Sequence, residues 1–127
     1  MIIIILDSTG LVTQQLEQKL HARLPGVTLE IHSTFPSVYQ RLSMVQEATV
    51  IAIMVADNRD LLQEFIKLRN LFIEARIVLV LPDHDQETVS LGHQLHPRYI
   101  GYMDGNFDDL AAVTARMVEK SKPFTNA

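Results

Sequence analysis

Thr49-Val50-Ile51-Ala52-Ile53-Met54-Val55-Ala56, followed at once by Asp57-Asn58-Arg59-Asp60 and then by Leu61, Phe65, Leu68, Phe72 and Ala75 at helical spacing, decides the fold. A run without a polar face is what a strand shows when both sides of its sheet are covered, and the stripe behind it is an amphipathic helix that can cover one side. The same alternation recurs along the chain. Ile2–Leu6, Val27–Ile31, Ile77–Leu81 and Tyr99–Met103 are each apolar runs followed by a segment of helical periodicity. Five β-then-α units predict an α/β domain with a parallel sheet, whose functional groups belong in the loops at the C-terminal strand ends.

Polarity within the runs predicts the strand order. Strands one, three and four are continuously apolar and read as central. Strand two alternates Val27, Leu29 and Ile31 with Thr28, Glu30 and His32, and strand five (Arg98, Tyr99, Ile100, Gly101, Tyr102) is mixed, so both read as edges. The order 2-1-3-4-5 satisfies this, with a topological switch between strands one and three. The first helix carries Val12, Leu16, Leu20 and Leu24 and ends at Pro25-Gly26; the second carries Val38, Leu42 and Val45; the last carries Phe107, Leu110, Ala111, Thr114, Met117 and Val118. Helix four, Gln86 to Leu95, has a thin apolar face and a mid-helix Gly92 that costs up to about 1 kcal/mol relative to alanine, so it is expected to be the most mobile element. One domain over residues 1–120 and a frayed tail over 121–127 are expected.

Composition narrows the partners. In 127 residues, 47% are apolar, and 15 acidic against 11 basic residues give a net charge of −4, with no block of like charge. Neither a nucleic acid nor an anionic membrane suits that balance; a protein or a cation does. The absence of cysteine removes thiol chemistry and accords with a cytoplasmic location. The opening Met-Ile-Ile-Ile-Ile-Leu lacks a basic flank and breaks at Asp7, so it reads as a buried strand rather than a signal.

The pattern resembles the receiver domain of two-component response regulators, which implies a flavodoxin-like (βα)5 three-layer sandwich over nearly the whole chain. Its best local match is Tyr102-Met103-Asp104-Gly105-Asn106-Phe107-Asp108-Asp109-Leu110, similar to the receiver segment that runs from strand five through Lys-Pro-Phe into the last helix. Here the lysine position is Gly105 and the proline position Asn106. Of the acidic pair that receivers use for Mg²⁺ only Asp7 remains, in Leu6-Asp7-Ser8, and Leu81-Pro82 stands where the resemblance implies Thr/Ser-Ala. Receivers end strand three with the phosphoacceptor aspartate; an apolar residue near Ile53 to Val55 takes that place, and Asp57 is the one carboxylate able to substitute. The resemblance, with these changes, implies a degenerate pseudo-receiver, a non-enzymatic signalling module that acts by protein contact.

Two further constellations sit at the strand ends. Asp7, Asp57, Asp83 and Asp104 fall at the ends of strands one, three, four and five, so a hard cation, Mg²⁺ or Ca²⁺, has four candidate oxygen ligands. With Asp57 as nucleophile and Asp7 holding Mg²⁺, an atypical phosphoacceptor is the alternative function. The simpler reading is that these carboxylates and their neighbours Ser8, Thr9, Asn58, Asp85 and Asn106 cap helices. Ser8-Thr9-Gly10 with Thr13 suggests an anion loop of the kind that holds the phosphate of FMN in flavodoxins, or another small ligand such as a nucleotide at the strand one/strand three crevice. Against it stand the spacing to Thr13, the charge of Asp7 and the lack of tryptophan.

His93 and His96 are three apart and would share a helix face, a conceivable zinc or nickel pair, but Pro97 follows directly and solvated histidines are the plainer reading. No histidine is placed to activate Ser8. The resemblance further implies signalling through helix four, strand five and helix five, with His93, Arg98, Tyr99, Tyr102, Asp108 and Arg116 as contact residues to a partner or a second copy in a homodimer. No cofactor is expected, Mg²⁺ being the alternative.

Overall fold

A computed structural model describes residues 2–44, 50–72 and 75–121. The elements follow in the order β1 (Ile2–Leu6), α1 (Thr13–Arg23), β2 (Thr28–His32), α2 (Phe35–Met44), β3 (Val50–Val55), α3 (Arg59–Lys67), a 3-10 turn (Arg69–Phe72), β4 (Ala75–Leu81), α4 (Gln86–His93), β5 (Tyr99–Tyr102) and α5 (Asp108–Ser121). All strand pairs are parallel and the sheet order is β2-β1-β3-β4-β5, as the polarity of the runs predicts. Leu6 pairs with His32 on one side and Met54 on the other, and Val55 with Val80, so the C-terminal ends of the central strands finish level.

Every residue of β1 and β3 is buried, because successive side chains of a strand point to opposite faces and both faces are covered. Ile2, Ile4, Leu6, Val50, Ala52, Met54, Ile77, Leu79 and Leu81 pack against Val38 of α2, Leu62 and Phe65 of α3, Phe72, and Leu95. Ile3, Ile5, Ile51, Ile53, Val55, Val78 and Val80 pack against Leu16 and Leu20 of α1 and Leu110, Ala111 and Val118 of α5. The sheet thus divides two apolar layers. In the first, Phe35 meets Phe65 and Phe72 edge-on, at centroid distances of 5.0 and 5.6 Å. In the second, α1 and α5 lie side by side, with Lys19 and Asp108 paired across their outer seam.

Four expectations are corrected. The third helix does not run to Ala75: it stops at Lys67, where Leu68 caps it, and a 3-10 turn brings Phe72 inward before Ala75 opens β4. On β2 the alternation holds only in part: Val27 and Leu29 pack on the layer of α1 and α5, but Ile31 is 43% exposed while Glu30 and His32 are partly covered. Arg41 of α2 reaches over that edge and binds both carboxylate oxygens of Glu30 at 2.8 and 2.9 Å, which covers the polar side of the strand and holds the Glu30 carboxyl below its usual value. Gly92, read as a weakness of helix four, is buried against the sheet: a Cβ there would stand 3.0 Å from Leu79 Cδ2 and 3.2 Å from Leu81 Cδ2, so its lack of a side chain lets α4 approach. Helix four is also shorter than expected, ending at His93 rather than Leu95. Thr49, Val45 and residues 122–127, parts of the expected third strand, second helix and tail, lie outside the described residues.

Phe65 is fully buried among Phe35 and Phe72. Phe65→Ala is expected to lower the unfolding free energy by about 3–5 kcal/mol in urea titration, whereas Ile31→Ala, at a half-exposed edge, changes it by less than about 1 kcal/mol.

Candidate functional site

The loops after β1, β3, β4 and β5 share one end of the sheet, because parallel strands joined by helices place every βα connection there. Asp7, the residue after β1, is 3% exposed. Its backbone N–H continues the ladder to the His32 carbonyl at 3.0 Å, which directs the side chain under the following loop. There Oδ1 accepts the Thr9 hydroxyl at 3.2 Å, and Oδ2 accepts the Val12 N–H at 3.1 Å and the Thr13 hydroxyl at 2.8 Å. Gly10, with φ at 73°, supplies the left-handed turn that brings Val12 and Thr13 back onto the carboxylate. Asp7 therefore serves the start of α1, whose own N-cap residue, Val12, has no side chain able to do so.

The other strand-end carboxylates have separate partners. After β3, Asn58 rather than Asp57 caps α3, its Oδ1 accepting the Leu61 N–H at 2.8 Å, while its amide donates to Asp57 Oδ1 at 3.3 Å. After β4, the Asp83 carboxylate accepts the Asp85 N–H at 3.0 Å, and the nearby Thr88 hydroxyl first, then that bond, with smaller contributions from the Arg59 and His84 charges, hold it below the ordinary aspartate value. After β5, exposed Asp104 lies 3.1 Å from His84 Nε2. Among the described residues, no three histidine, aspartate or glutamate side chains come together as a metal ion requires, so Asp7, Asp57, Asp83 and Asp104 share an edge without forming a cage. The same holds for His93 and His96: the helix ends at His93, and His96 sits beyond it with a left-handed backbone, φ 49°.

Two groupings at this end escape any reading of single segments. Arg59, at the start of α3, donates from Nε to Thr88 Oγ1 at 2.7 Å and from its two amino groups to Glu87 and Asp85 at 3.0 and 2.8 Å. The Arg59–Thr88 bond thus joins α3 to α4 around a fully buried threonine. Both a cation and a hydroxyl are present at this edge, but each is spent on the other. Acidic residues at the head of one helix facing an arginine at the head of its neighbour were the only sequence signal for it. His84, meanwhile, stacks on Tyr102 with ring centroids 3.7 Å apart and planes at 16°.

The expected contact residues are distributed unevenly. Tyr99 and Tyr102 line one recess of about 230 Å³ with His84, Asp104 and Asp109, and burial, reinforced by the Asp109 charge, raises the Tyr99 hydroxyl pKa. His93 and Arg116 are exposed on α4 and α5. Asp108 instead turns to Lys19 of α1, and Arg98 lies at the opposite end of β5. In the loop after β5, a Cβ on Gly105 would stand 3.2 Å from the Tyr102 carbonyl oxygen, and Phe107 takes a left-handed φ of 65° beside the Asn106 side chain that accepts the Asp108 N–H at 3.0 Å.

The chain superposes on the RcsB response regulator of Salmonella typhimurium with a TM-score of 0.70 at 14% identity, over 99% of this chain and 63% of that one. It superposes on HP1043, an orphan response regulator of H. pylori, with a TM-score of 0.66 at 9% identity, over 92% of this chain and 96% of that one. The chain thus spans somewhat under two thirds of the length of the RcsB chain. No protein-family model and no curated protein matches the sequence. At these identities the likeness is one of fold, and it is the fold that the sequence resembles.

The Thr88 hydroxyl beside Asp83 fixes a pH effect. A folded-state pKa held below the ordinary value of 3.8 stabilises the protein above that value, and the contribution is lost as pH falls through the folded pKa. Thr88→Val removes the largest cause of the shift. Carbon-detected NMR titration is expected to show the Asp83 carboxyl titrating at higher pH in the variant, nearer its ordinary value, and an unchanged titration would contradict the role of Thr88.

Proposed function

We propose that this chain is a receiver-fold regulatory module that works by protein contact and without phosphorylation, in the manner of a pseudo-receiver. The observation that carries the reading is Asp7. Receivers use acids at this position to hold Mg²⁺, whereas here the carboxylate is buried and occupied by three donors from its own loop. To offer it to a cation the protein would have to release the start of α1, at a cost of about 0.5–2 kcal/mol for a lost cap.

The remaining positions agree. β3 ends in Val55, 1% exposed, where a receiver ends in its acceptor, and Asp57 lies two residues further on, past Ala56, whose N–H is bound to the Val80 carbonyl at 2.9 Å. The lysine position is Gly105, in a loop where even a Cβ is crowded by Tyr102. Phosphoryl transfer depends on charge placed around the transferred group, and the guanidinium at this edge is already engaged with Thr88, Glu87 and Asp85.

Output then rests on the surface. The α4–β5–α5 side offers two tyrosines around a recess, flanked by His93 and Arg116, and tyrosine and arginine are the residue types that carry most interface energy. We assign this side to a protein partner or to a second copy of the chain. A signalling role follows by analogy with the response regulators that share the fold, and the cysteine-free sequence accords with a cytoplasmic setting.

Amide NMR with Mg²⁺ and then Mg²⁺ plus beryllofluoride tests the central point. The expected spectra are unchanged at Asp7, Asp57 and Asp83, and mass spectrometry after incubation with acetyl phosphate shows no added phosphoryl group. Shifts at those residues spreading into α4, with a mass increase removed by Asp57→Asn, would instead establish an atypical phosphoacceptor.

A further inference from the structure

A further grouping of polar side chains lies between β2 and α2, apart from the acids of the other loops. Glu30 and His32 are two apart on the strand and so share the face that meets α2, while Ser37 and Arg41 are four apart on the helix and share the face that meets β2. Two residues of strand span about 6.6 Å and four of helix about 6 Å, so the two pairs fall in register. Arg41 stands over Glu30 and binds both carboxylate oxygens, and Ser37 stands over His32, its Oγ 2.6 Å from the ring Nδ1. The other ring nitrogen, Nε2, lies 3.4 Å from Glu30 Oε1. Serine, histidine and carboxylate are thus joined in series.

The charges fix the direction of that series. With the Arg41 guanidinium holding the Glu30 carboxyl below its usual value, the group is a carboxylate that can only accept. In the neutral ring Nε2 of His32 therefore carries the proton, Nδ1 keeps a lone pair, and the Ser37 hydroxyl donates to it. A hydroxyl held against a basic nitrogen, with the far side of the ring fixed by a carboxylate, is the arrangement that activates serine as a nucleophile; it is defined by geometry and roles, not by order in the chain. Access agrees, since Ser37 is exposed whereas the His32 side chain is 12% exposed. Ser37 also sits in the first turn of α2, where N–H groups lack partners within the helix and the dipole favours negative charge. Its own N–H reaches Thr34 Oγ1 at a long 3.4 Å, so it is the available donor for an oxyanion formed at Ser37.

We propose that Ser37 is the nucleophile of an acyl-transfer site that hydrolyses small esters, with His32 as general base and acid and Glu30 as the residue that positions the ring. Ser37 Oγ bonds to the ester carbonyl carbon as its proton passes to His32 Nδ1; the bond from that carbon to the alcohol oxygen then breaks, and the alcohol leaves with the proton. Water attacks the acyl-serine in the same way, giving a proton to Nδ1, and the acid departs as Ser37 Oγ recovers that proton. The open setting of Ser37 at an exposed helix start suits small acyl groups rather than long chains. The site uses neither Asp7 and Asp57 nor the α4–β5–α5 side, so it stands or falls apart from the proposed function.

Incubation of the chain with diisopropyl fluorophosphate, followed by peptide mass mapping, tests it, with hydrolysis of p-nitrophenyl acetate as a second arm. A diisopropylphosphoryl adduct is expected on Ser37, and both the adduct and the ester hydrolysis are expected to be lost in Ser37→Ala. In His32→Gln both reactions are expected to slow at least about 100-fold. Long-range ¹H–¹⁵N spectra are expected to place the His32 ring proton on Nε2 in the parent chain, and Glu30→Ala to show a mixture of tautomers together with slower labelling of Ser37. An unlabelled Ser37 in the parent chain, an adduct on other residues alone, or a His32→Gln chain that reacts at the parent rate would overturn the site. The first two outcomes are read on the parent chain and do not depend on how any variant folds.

Discussion

The burial of β1, β3 and β4 on both faces is the constraint from which the rest of this structure follows. Adjacent isoleucines in Ile2–Leu6 point to opposite sides, so neither side can be left in water without exposing side chains worth about 1.5–3 kcal/mol each. Covering both requires helices above and below, and parallel strands with helical crossovers are the arrangement that supplies them. Once that is so, all βα loops are gathered at one end and all αβ loops at the other. The acids Asp7, Asp57, Asp83 and Asp104 meet one environment, and Arg69, Arg76 and Arg98 another, because of where the apolar runs stop.

The two ends treat charge differently. At the βα end the carboxylates are answered within the chain: Asp7 by its own loop, Asp83 by Thr88 and Arg59, Asp104 by His84. Most of these pairs are exposed, where an ion pair contributes between nothing and about 1 kcal/mol, so the buried bonds of Asp7 and Thr88 matter more than the visible salt bridges around Arg59. At the αβ end Arg69 and Arg98 line a cavity with Phe72, Ile77 and Leu95. The first arrangement resembles a site that has been closed by its own side chains.

Strand identity and order were legible because burial on two faces writes itself as uninterrupted apolar runs, and β1 was readable to the residue. Periodicity is blind to a change of helix type, which is why the stripe through Leu61, Phe65, Leu68 and Phe72 was followed past the real end at Lys67: the 3-10 turn still sends Phe72 inward. Alternation also misjudged β2, where Ile31 is left half-exposed and the opposite face, carrying Glu30, is covered by an ion pair from α2. Among the candidate ligands, position along the chain placed four aspartates at one edge but could not say which way they turn. That depends on Gly10, on backbone N–H groups a few residues on, and on partners such as Arg59 and Thr88 that lie 29 residues apart.

The seam between α1 and α5 also governs when the molecule can become itself. The layer holding Ile3, Ile5, Leu16 and Leu20 is completed by Leu110, Ala111 and Val118, contributed by the last described element of the chain. During synthesis the first strand and helix therefore emerge with an apolar flank that is completed only by α5, while the layer on the other side of the sheet can already assemble around Phe35, Phe65 and Phe72. Chains that stall before α5 would carry a long hydrophobic trough beside a nearly finished sheet, the kind of surface that chaperones hold and that aggregates nucleate upon. Completion of this domain is thereby tied to α5.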